Sequence, residues 1–175
     1  MNALAHPAVG DYLNRHFVSA FQKVATFEIN GGQKQGGNVA AYFCTADGRV
    51  LHAVAGPVDA EVFLREARWA NETFQFAQLE NPDGLQAFFR KAHLTRLRAE
   101  QPVVLAEERL PAPERVTPQV LDQLLRLNAH LGAQSQVHLM MAVAPLPRLE
   151  HVYRAVFERI LNEQISTAPV RVAGR

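Results

Sequence analysis

The 175-residue chain contains one cysteine, Cys44, and seven histidines, the side chains best suited to nucleophilic or metal chemistry. A single thiol excludes an internal disulfide and every CxxC redox pair. A reactive thiolate also needs a helix N-terminus or a cationic neighbour to lower its pKa. Cys44 is flanked by Phe43 and Thr45, which supply neither. We therefore interpret Cys44 as a structural cysteine, and a one-cysteine oxidoreductase or peroxidase is the alternative.

The histidines show none of the short-range spacings that metal sites use. The sequence has no HExxH, no HxH and no paired Cys/His motif. His52 and His138 each lie among apolar residues, which is typical of core histidines whose hydrogen bonds are satisfied. The sequence therefore predicts no catalytic residue, no metal ligand and no cofactor.

Residues 30–38 (NGGQKQGGN) contain four glycines in nine positions, which raises the question of a phosphate-binding loop. The stretch lacks GK[ST], lacks GxGxxG spacing and is not followed by a predicted helix. A flexible connector is the better interpretation.

Composition narrows the class of protein. The net charge is +1 and no basic stripe is present, so no nucleic-acid partner is expected. No run of 18 apolar residues occurs, so no membrane span is expected. The first seven residues lack the basic and apolar regions of a secretory signal, and a cytoplasmic location is the resulting expectation.

The stretch from Asn38 to Trp69 organises the predicted fold. It indicates a strand at Val39–Cys44, a tight turn at Asp47-Gly48, a second strand at Arg49–Ala55 and then a helix. Asp-Gly favours a short hairpin because glycine adopts positive φ without steric cost. The second strand is apolar on both faces, which is typical of a strand covered on both sides.

Periodicity and capping residues predict the other elements. Helices are predicted at 7–16, 59–77, 85–98, 117–131 and 149–165, and strands at 23–29 and 137–144. Thr117 and Pro118 mark a helix start, and Gly132 a helix end. Asn81-Pro82-Asp83-Gly84 separates a first part, 1–80, from a mainly helical part, 81–175. The basic residues of the 85–98 helix are interpreted as a solvated face: Arg90, Lys91, Arg96 and Arg98.

Two stretches, HPAVGDYLNRHFVSAF and YFCTADGRVLHAVAG, together with the amphipathic helix that follows, resemble the second half of a thioredoxin-like domain. The resemblance covers about residues 6–77. It implies an α/β fold with an incomplete or rearranged thioredoxin-like sheet and a helical C-terminal extension. The family's CxxC is absent, and Gly37-Asn38 stands where the family has its cis-proline. Cys44 lies at the far end of its strand and inherits no catalytic role.

The resemblance implies a redox-inactive, thioredoxin-like module that binds a protein partner or acts as a scaffold. The alternative is the downstream part of an oxidoreductase whose CxxC lies upstream of Met1, and the in-frame upstream sequence would distinguish the two. The family's central strand is missing from the first half. We expect Val137–Val143 to fill its place, ahead of direct pairing of the flanking strands or a homodimer.

The lone thiol generates a first prediction. Reduction of a substrate disulfide by a dithiol protein needs two thiols close together, so this chain should show no disulfide-reductase activity. The measurement is turnover of a protein disulfide in the presence of a small dithiol. A rate well above the dithiol blank that disappears in Cys44→Ser would contradict the prediction.

Overall fold

The computed structural model describes residues 3–24, 28–30, 33–35, 37–101, 110–166, 168, 171 and 172. The fold is mixed α/β and mostly helical. The helices are α1 Pro7–His16, α2 Ala60–Glu80, α3 Leu85–Glu100, α4 Pro118–Leu127, α5 Ala133–Val143 and α6 Leu149–Ala155, which continues as a π-helical turn over Val156–Ile160. The strands are β1 Glu28–Asn30, β2 Gln33–Gln35, β3 Ala40–Cys44, β4 Val50–Ala55 and β5 Arg171–Val172.

The predicted hairpin is confirmed as the antiparallel pair β3–β4, in which Ala40 pairs with Ala55 and Phe43 with His52. Gly48 closes the turn at φ +79°, a conformation that favours glycine. The register shifts between Phe43 and Cys44. A bulge of this kind places an extra residue on one strand and re-aims the side chains beside it.

Every residue of β4 is buried, as expected for a strand covered on both faces. Helix α2 covers one face, where Phe63, Ala67 and Ala70 pack with Val54. Helices α3 and α5 contribute to the cluster on the other face, where Val50, Ala53 and Ala55 lie. Strand β4 is therefore an inner strand of the fold, whereas β3 is mostly half-buried.

Capping residues set two of the helix starts. The Asp59 carboxylate accepts a hydrogen bond from the Val62 backbone N–H at 2.8 Å, and the Thr117 hydroxyl accepts one from the Val120 N–H at 3.3 Å. Such caps satisfy N–H groups that have no partner within the helix. Helix α4 ends at Leu127, before the predicted Gly132, which instead precedes α5 as its N-cap.

The predicted strand at 137–144 is wrong, because these residues lie mostly in α5, a helix that is buried from Ser135 to Val143. An unbroken apolar run fits a strand buried on both faces or a helix buried all round, and its periodicity cannot separate them. The hypothesis that Val137–Val143 fills a central strand position is therefore wrong.

Within the described residues, the two flanking strands do not pair directly with each other either. Strand β1 pairs antiparallel with β2 and parallel with β5, whereas β3 pairs with β4. Of the predicted strand at 23–29, Glu28 and Ile29 belong to β1. Residues 23 and 24 are not in a strand, and residues 25–27 lie outside the described part of the chain. The homodimer stays a prediction.

The last predicted helix is shorter than expected. Helix α6 and its π-helical turn end at Ile160, and Asn162 follows with φ +50°. Among the helices of the described chain, none combines the length and the apolar character that a membrane span requires.

Two buried aromatics generate the second prediction. Phe63 packs against Phe43 with ring centroids 5.8 Å apart, and Phe157 is buried in the C-terminal turn. Phe63→Ala or Phe157→Ala should lower the free energy of unfolding by about 3–5 kcal/mol, because each leaves a cavity. Urea unfolding measures the change. The control is Phe21→Ala, since Phe21 is 90% exposed; equal midpoints for Phe63→Ala and this control would contradict the assignment.

Candidate functional site

Three histidines that are far apart in the chain meet in the interior. His52 lies on β4, His93 on α3 and His138 on α5, and all three side chains are 0% exposed. One ring nitrogen from each lies within 4.8 Å of the other two. The closest pair is His93 Nδ1 and His138 Nδ1, at 3.0 Å. We call these residues the histidine cluster.

Ordinary packing patterns place the cluster. His93 occupies the buried stripe of α3 between Phe89 and Leu97, at spacings of four residues that share one helix face. His138 lies on α5, which is buried on every side from Ser135 onward. His52 lies on β4 opposite Phe43. Each histidine therefore occupies a position where an apolar residue would be the usual choice.

The hydrogen bonds indicate the tautomers. His52 Nε2 lies 3.1 Å from Glu66 Oε2, and an ionised carboxylate only accepts, so Nε2 carries the hydrogen and Nδ1 the lone pair. His93 Nε2 lies 3.0 Å from the Leu51 carbonyl and donates to it, which leaves His93 Nδ1 as an acceptor. His138 Nδ1 must then donate to His93 Nδ1.

Two ring nitrogens find no hydrogen-bond partner in the described chain. They are His52 Nδ1 and His138 Nε2, both fully buried. The Gln134 amide nitrogen, which donates to the Ala53 carbonyl at 2.9 Å, approaches only the opposite nitrogen of His52. A buried lone pair without a donor costs free energy, so the cluster is polar but incompletely satisfied.

A buried acid and its arginine form the outer layer of the cluster. Glu66 is 1% exposed, and Arg96 donates to both of its carboxylate oxygens at 2.8 Å. Burial alone would raise the pKa of Glu66, but the hydrogen bond and charge of His52 and the charge of Arg96 lower it to about 2. Glu66 is therefore ionised at neutral pH. Arg96, which was expected on a solvated face, turns inward to this acid.

Burial lowers the pKa of all three histidines. For His93 and His138 the charge of His52 lowers the pKa further, whereas for His52 the hydrogen bond and charge of Glu66 oppose the effect of burial. All three imidazoles are consequently neutral at pH 7. A neutral imidazole has a lone pair available for a metal ion.

Trp69 covers the cluster on the side of α2. Its ring meets His52, His93 and His138 edge-on, at centroid distances of 4.8, 4.9 and 5.7 Å. The Arg96 guanidinium lies over the Trp69 ring at 5.1 Å. Both residues also line a groove of about 530 Å³ formed by α2 and α3.

Cys44, Gly37 and Asn38, which were also singled out from the sequence, lie outside the cluster. Cys44 is half-buried at the end of β3, and burial raises the pKa of its thiol, which disfavours the thiolate. Gly37 has φ +70°. The Asn38 side chain donates to the Leu161 carbonyl at 3.2 Å and to Glu163 Oε2 at 3.3 Å. These contacts tie the start of the hairpin to the C-terminal segment.

Sequence reasoning found His52 and His138 as core histidines but did not bring them together. It missed His93, Glu66 and Arg96. The available signal was helical spacing: Glu66 falls between Phe63 and Ala70 on the buried stripe of α2, where a carboxylate needs a partner. A polar residue on an apolar helical stripe was therefore the sequence pattern that indicated a buried polar site.

Comparison of the chain with protein-family models, with curated proteins and with solved structures found no match. Any function of this chain is therefore inferred from the histidine cluster and its surroundings.

The lowered pKa values generate the third prediction. Each histidine has a lower pKa in the folded chain than its ordinary value near 6.5, so the unfolded chain binds more protons below that pH. Stability is fully present above about pH 6.5 and is lost as the pH falls. Between pH 7.5 and 5.5, His93 and His138, whose pKa values are lowered most strongly, should together remove about 3 kcal/mol from the free energy of unfolding, and His52 should add to this loss.

Urea unfolding in the presence of a chelator measures this loss. His93→Leu should reduce the pH dependence, whereas His151→Leu, at an exposed histidine, should leave it unchanged. Equal stability of the parent chain at pH 7.5 and 5.5 would contradict the prediction.

Proposed function

We propose that this chain is a binding module whose ligand is a divalent transition-metal ion of the zinc class, held by His52, His93 and His138. The observation that carries the proposal is the buried cluster of three neutral imidazoles in which His52 Nδ1 has no hydrogen-bond partner among the residues that the structure describes. A lone pair of this kind is satisfied by a metal ion as well as by a donor hydrogen.

The outer contacts support Nδ1 as the ligand atom of each histidine. Metal-binding histidines usually donate their other ring N–H to a carboxylate or a carbonyl. His52 Nε2 faces Glu66, and His93 Nε2 faces the Leu51 carbonyl. His138 Nε2 lies 3.8 Å from Glu100 Oε1. When His138 Nδ1 binds the metal, its hydrogen moves to Nε2 and faces that carboxylate, which must move closer to accept a hydrogen bond.

The ligand type favours zinc or a neighbouring metal. Three imidazoles, with no thiolate and no carboxylate among the described ligand set, suit Zn²⁺, Cu²⁺ or Ni²⁺ rather than Mg²⁺ or Ca²⁺. Zinc–nitrogen bonds of about 2.0–2.1 Å in a tetrahedral site separate the nitrogens by about 3.3 Å. The 3.0 Å between His93 Nδ1 and His138 Nδ1 is close to this value, whereas the separations within the cluster extend to 4.8 Å and must contract when the ion binds.

We also propose that the scaffold of this binding module is thioredoxin-like. The order strand, Asp-Gly turn, strand and helix over β3, β4 and α2 supports it. The single half-buried thiol supports a module without dithiol chemistry. A protein partner is retained as a second proposed ligand, and the larger exposed apolar side chains are where it would bind: Leu4, Val18, Phe21, Val39, Phe76, Leu79 and Leu127.

Metal binding is the fourth prediction. The chelator-treated chain should bind one equivalent of Zn²⁺, and Zn²⁺ should raise the thermal midpoint because it binds only the folded state. Co²⁺ in the same site should show the visible absorption of a four-coordinate ion. In metal sites, loss of a residue that only holds a ligating histidine costs about 10- to 100-fold in metal affinity. Loss of a ligand itself should cost more, so His138→Gln should weaken Zn²⁺ binding by at least about 100-fold.

The matched control is His151→Gln, the same change at an exposed histidine of α6, which should bind Zn²⁺ like the parent chain. Circular dichroism at pH 7.5 establishes that each variant is folded. Less than one equivalent of Zn²⁺ bound to the parent chain would overturn the proposal whatever the variants do. Equal weakening in both variants would place the ion outside the cluster and would also overturn it.

A further inference from the structure

We infer that the metal ion in the histidine cluster takes a small exogenous anion as its fourth ligand, and that the anion enters through the groove between α2 and α3. This inference rests on the proposed function. To the proposed metal site it adds a second ligand, the anion, together with the sign of its charge and its route to the metal ion.

The described chain supplies three ligands where a tetrahedral ion takes four. No further thiol or carboxylate of the described residues joins the group that can reach a common ion. Sites with three protein ligands keep a position for a water or another exogenous ligand, whereas structural zinc sites are closed by four. The cluster therefore matches the open type.

Charge determines which exogenous ligand is favoured. The three imidazoles are neutral ligands, so the ion keeps its two positive charges. Glu66 and Glu100 are the acids next to the cluster, and Arg96 and Arg65 are the bases, both bound to Glu66. The two negative and two positive side chains cancel, which leaves the charge of the ion uncompensated. Burying an unpaired charge is costly, so an anion at the fourth position lowers the free energy of the site.

The groove supplies the route. Its lining includes Trp69 and Arg96, and Trp69 is in ring contact with all three histidines. Trp69 is therefore the wall between the groove and the cluster. Arg96 lies over the indole on the same side and holds Glu66. Rotation of these two side chains opens the cluster without moving a backbone element.

The groove offers an anion one base that has no ion-pair partner within the described chain. Lys91 and Glu72 line it with opposite charges, and Arg96, the other base of the lining, is paired with Glu66. Lys91 is exposed and forms no ion pair within the described chain, so its charge is available to attract an incoming anion. Phe76 and Phe88, whose rings contact each other, form an aromatic wall of the groove.

The test uses the Co²⁺-loaded chain and azide as the probe anion. Azide should change the visible spectrum of the bound Co²⁺ in a saturable manner. Lys91→Glu should weaken azide binding by about threefold or more at low salt, with a smaller effect at high salt. The control is Arg115→Glu, an exposed residue outside the groove that undergoes the same change of charge. Trp69→Phe should speed azide association in stopped-flow measurements, because a smaller ring leaves a wider passage.

The outcomes separate this inference from the proposed function. Co²⁺ binding without an azide-dependent spectrum would overturn the open position and leave the metal site standing. Equal azide affinities in Lys91→Glu and Arg115→Glu, or an unchanged association rate in Trp69→Phe, would overturn the route. Failure of the parent chain to bind Co²⁺ would overturn the proposed function, and this inference with it.

Discussion

The structure depends on keeping three imidazoles neutral in an interior without solvent contact. Desolvation disfavours the charged form, and it lowers the pKa of His52, His93 and His138 alike. The N–H group of each neutral ring must then donate a hydrogen bond to a fixed acceptor. Glu66, the Leu51 carbonyl and His93 itself serve as those acceptors, and their positions fix how α2, α3, β4 and α5 pack around one another.

Strand β4 connects the packing of the fold to the chemistry of the cluster. It supplies His52 as a side chain and Leu51 as a backbone acceptor, and it is covered on both faces. The bulge beside it allows Phe43 to pair with His52 while Cys44 pairs with Val50. Within the described chain, strand β4 pairs with only one other strand, so these groups are shielded from water by the helices that cover its faces.

The outer layer supports the proposal of an ion over a purely structural network. Native structures leave few buried polar atoms unsatisfied, because each one costs free energy without any compensation. Among the described residues, His52 Nδ1 and His138 Nε2 lack hydrogen-bond partners, and the opposite nitrogen of His52 is held by Glu66, which Arg65 and Arg96 hold in turn. A firmly held outer nitrogen opposite an unsatisfied inner one, as at His52, is typical of a metal-ligating histidine.

The sequence by itself determined the local features of this protein. Asp47-Gly48 predicted the hairpin, Thr117 the start of α4, and the single thiol the absence of a dithiol, because each depends on neighbouring residues or on a count. Tertiary structure alone decided that 133–143 forms a helix, since a run apolar on every side suits either element until its neighbours are known. It also decided the histidine cluster. Glu66 and His93 were visible as polar residues on helical stripes, but only the packing of two helices on β4 and α5 brings residues this far apart within contact of one another.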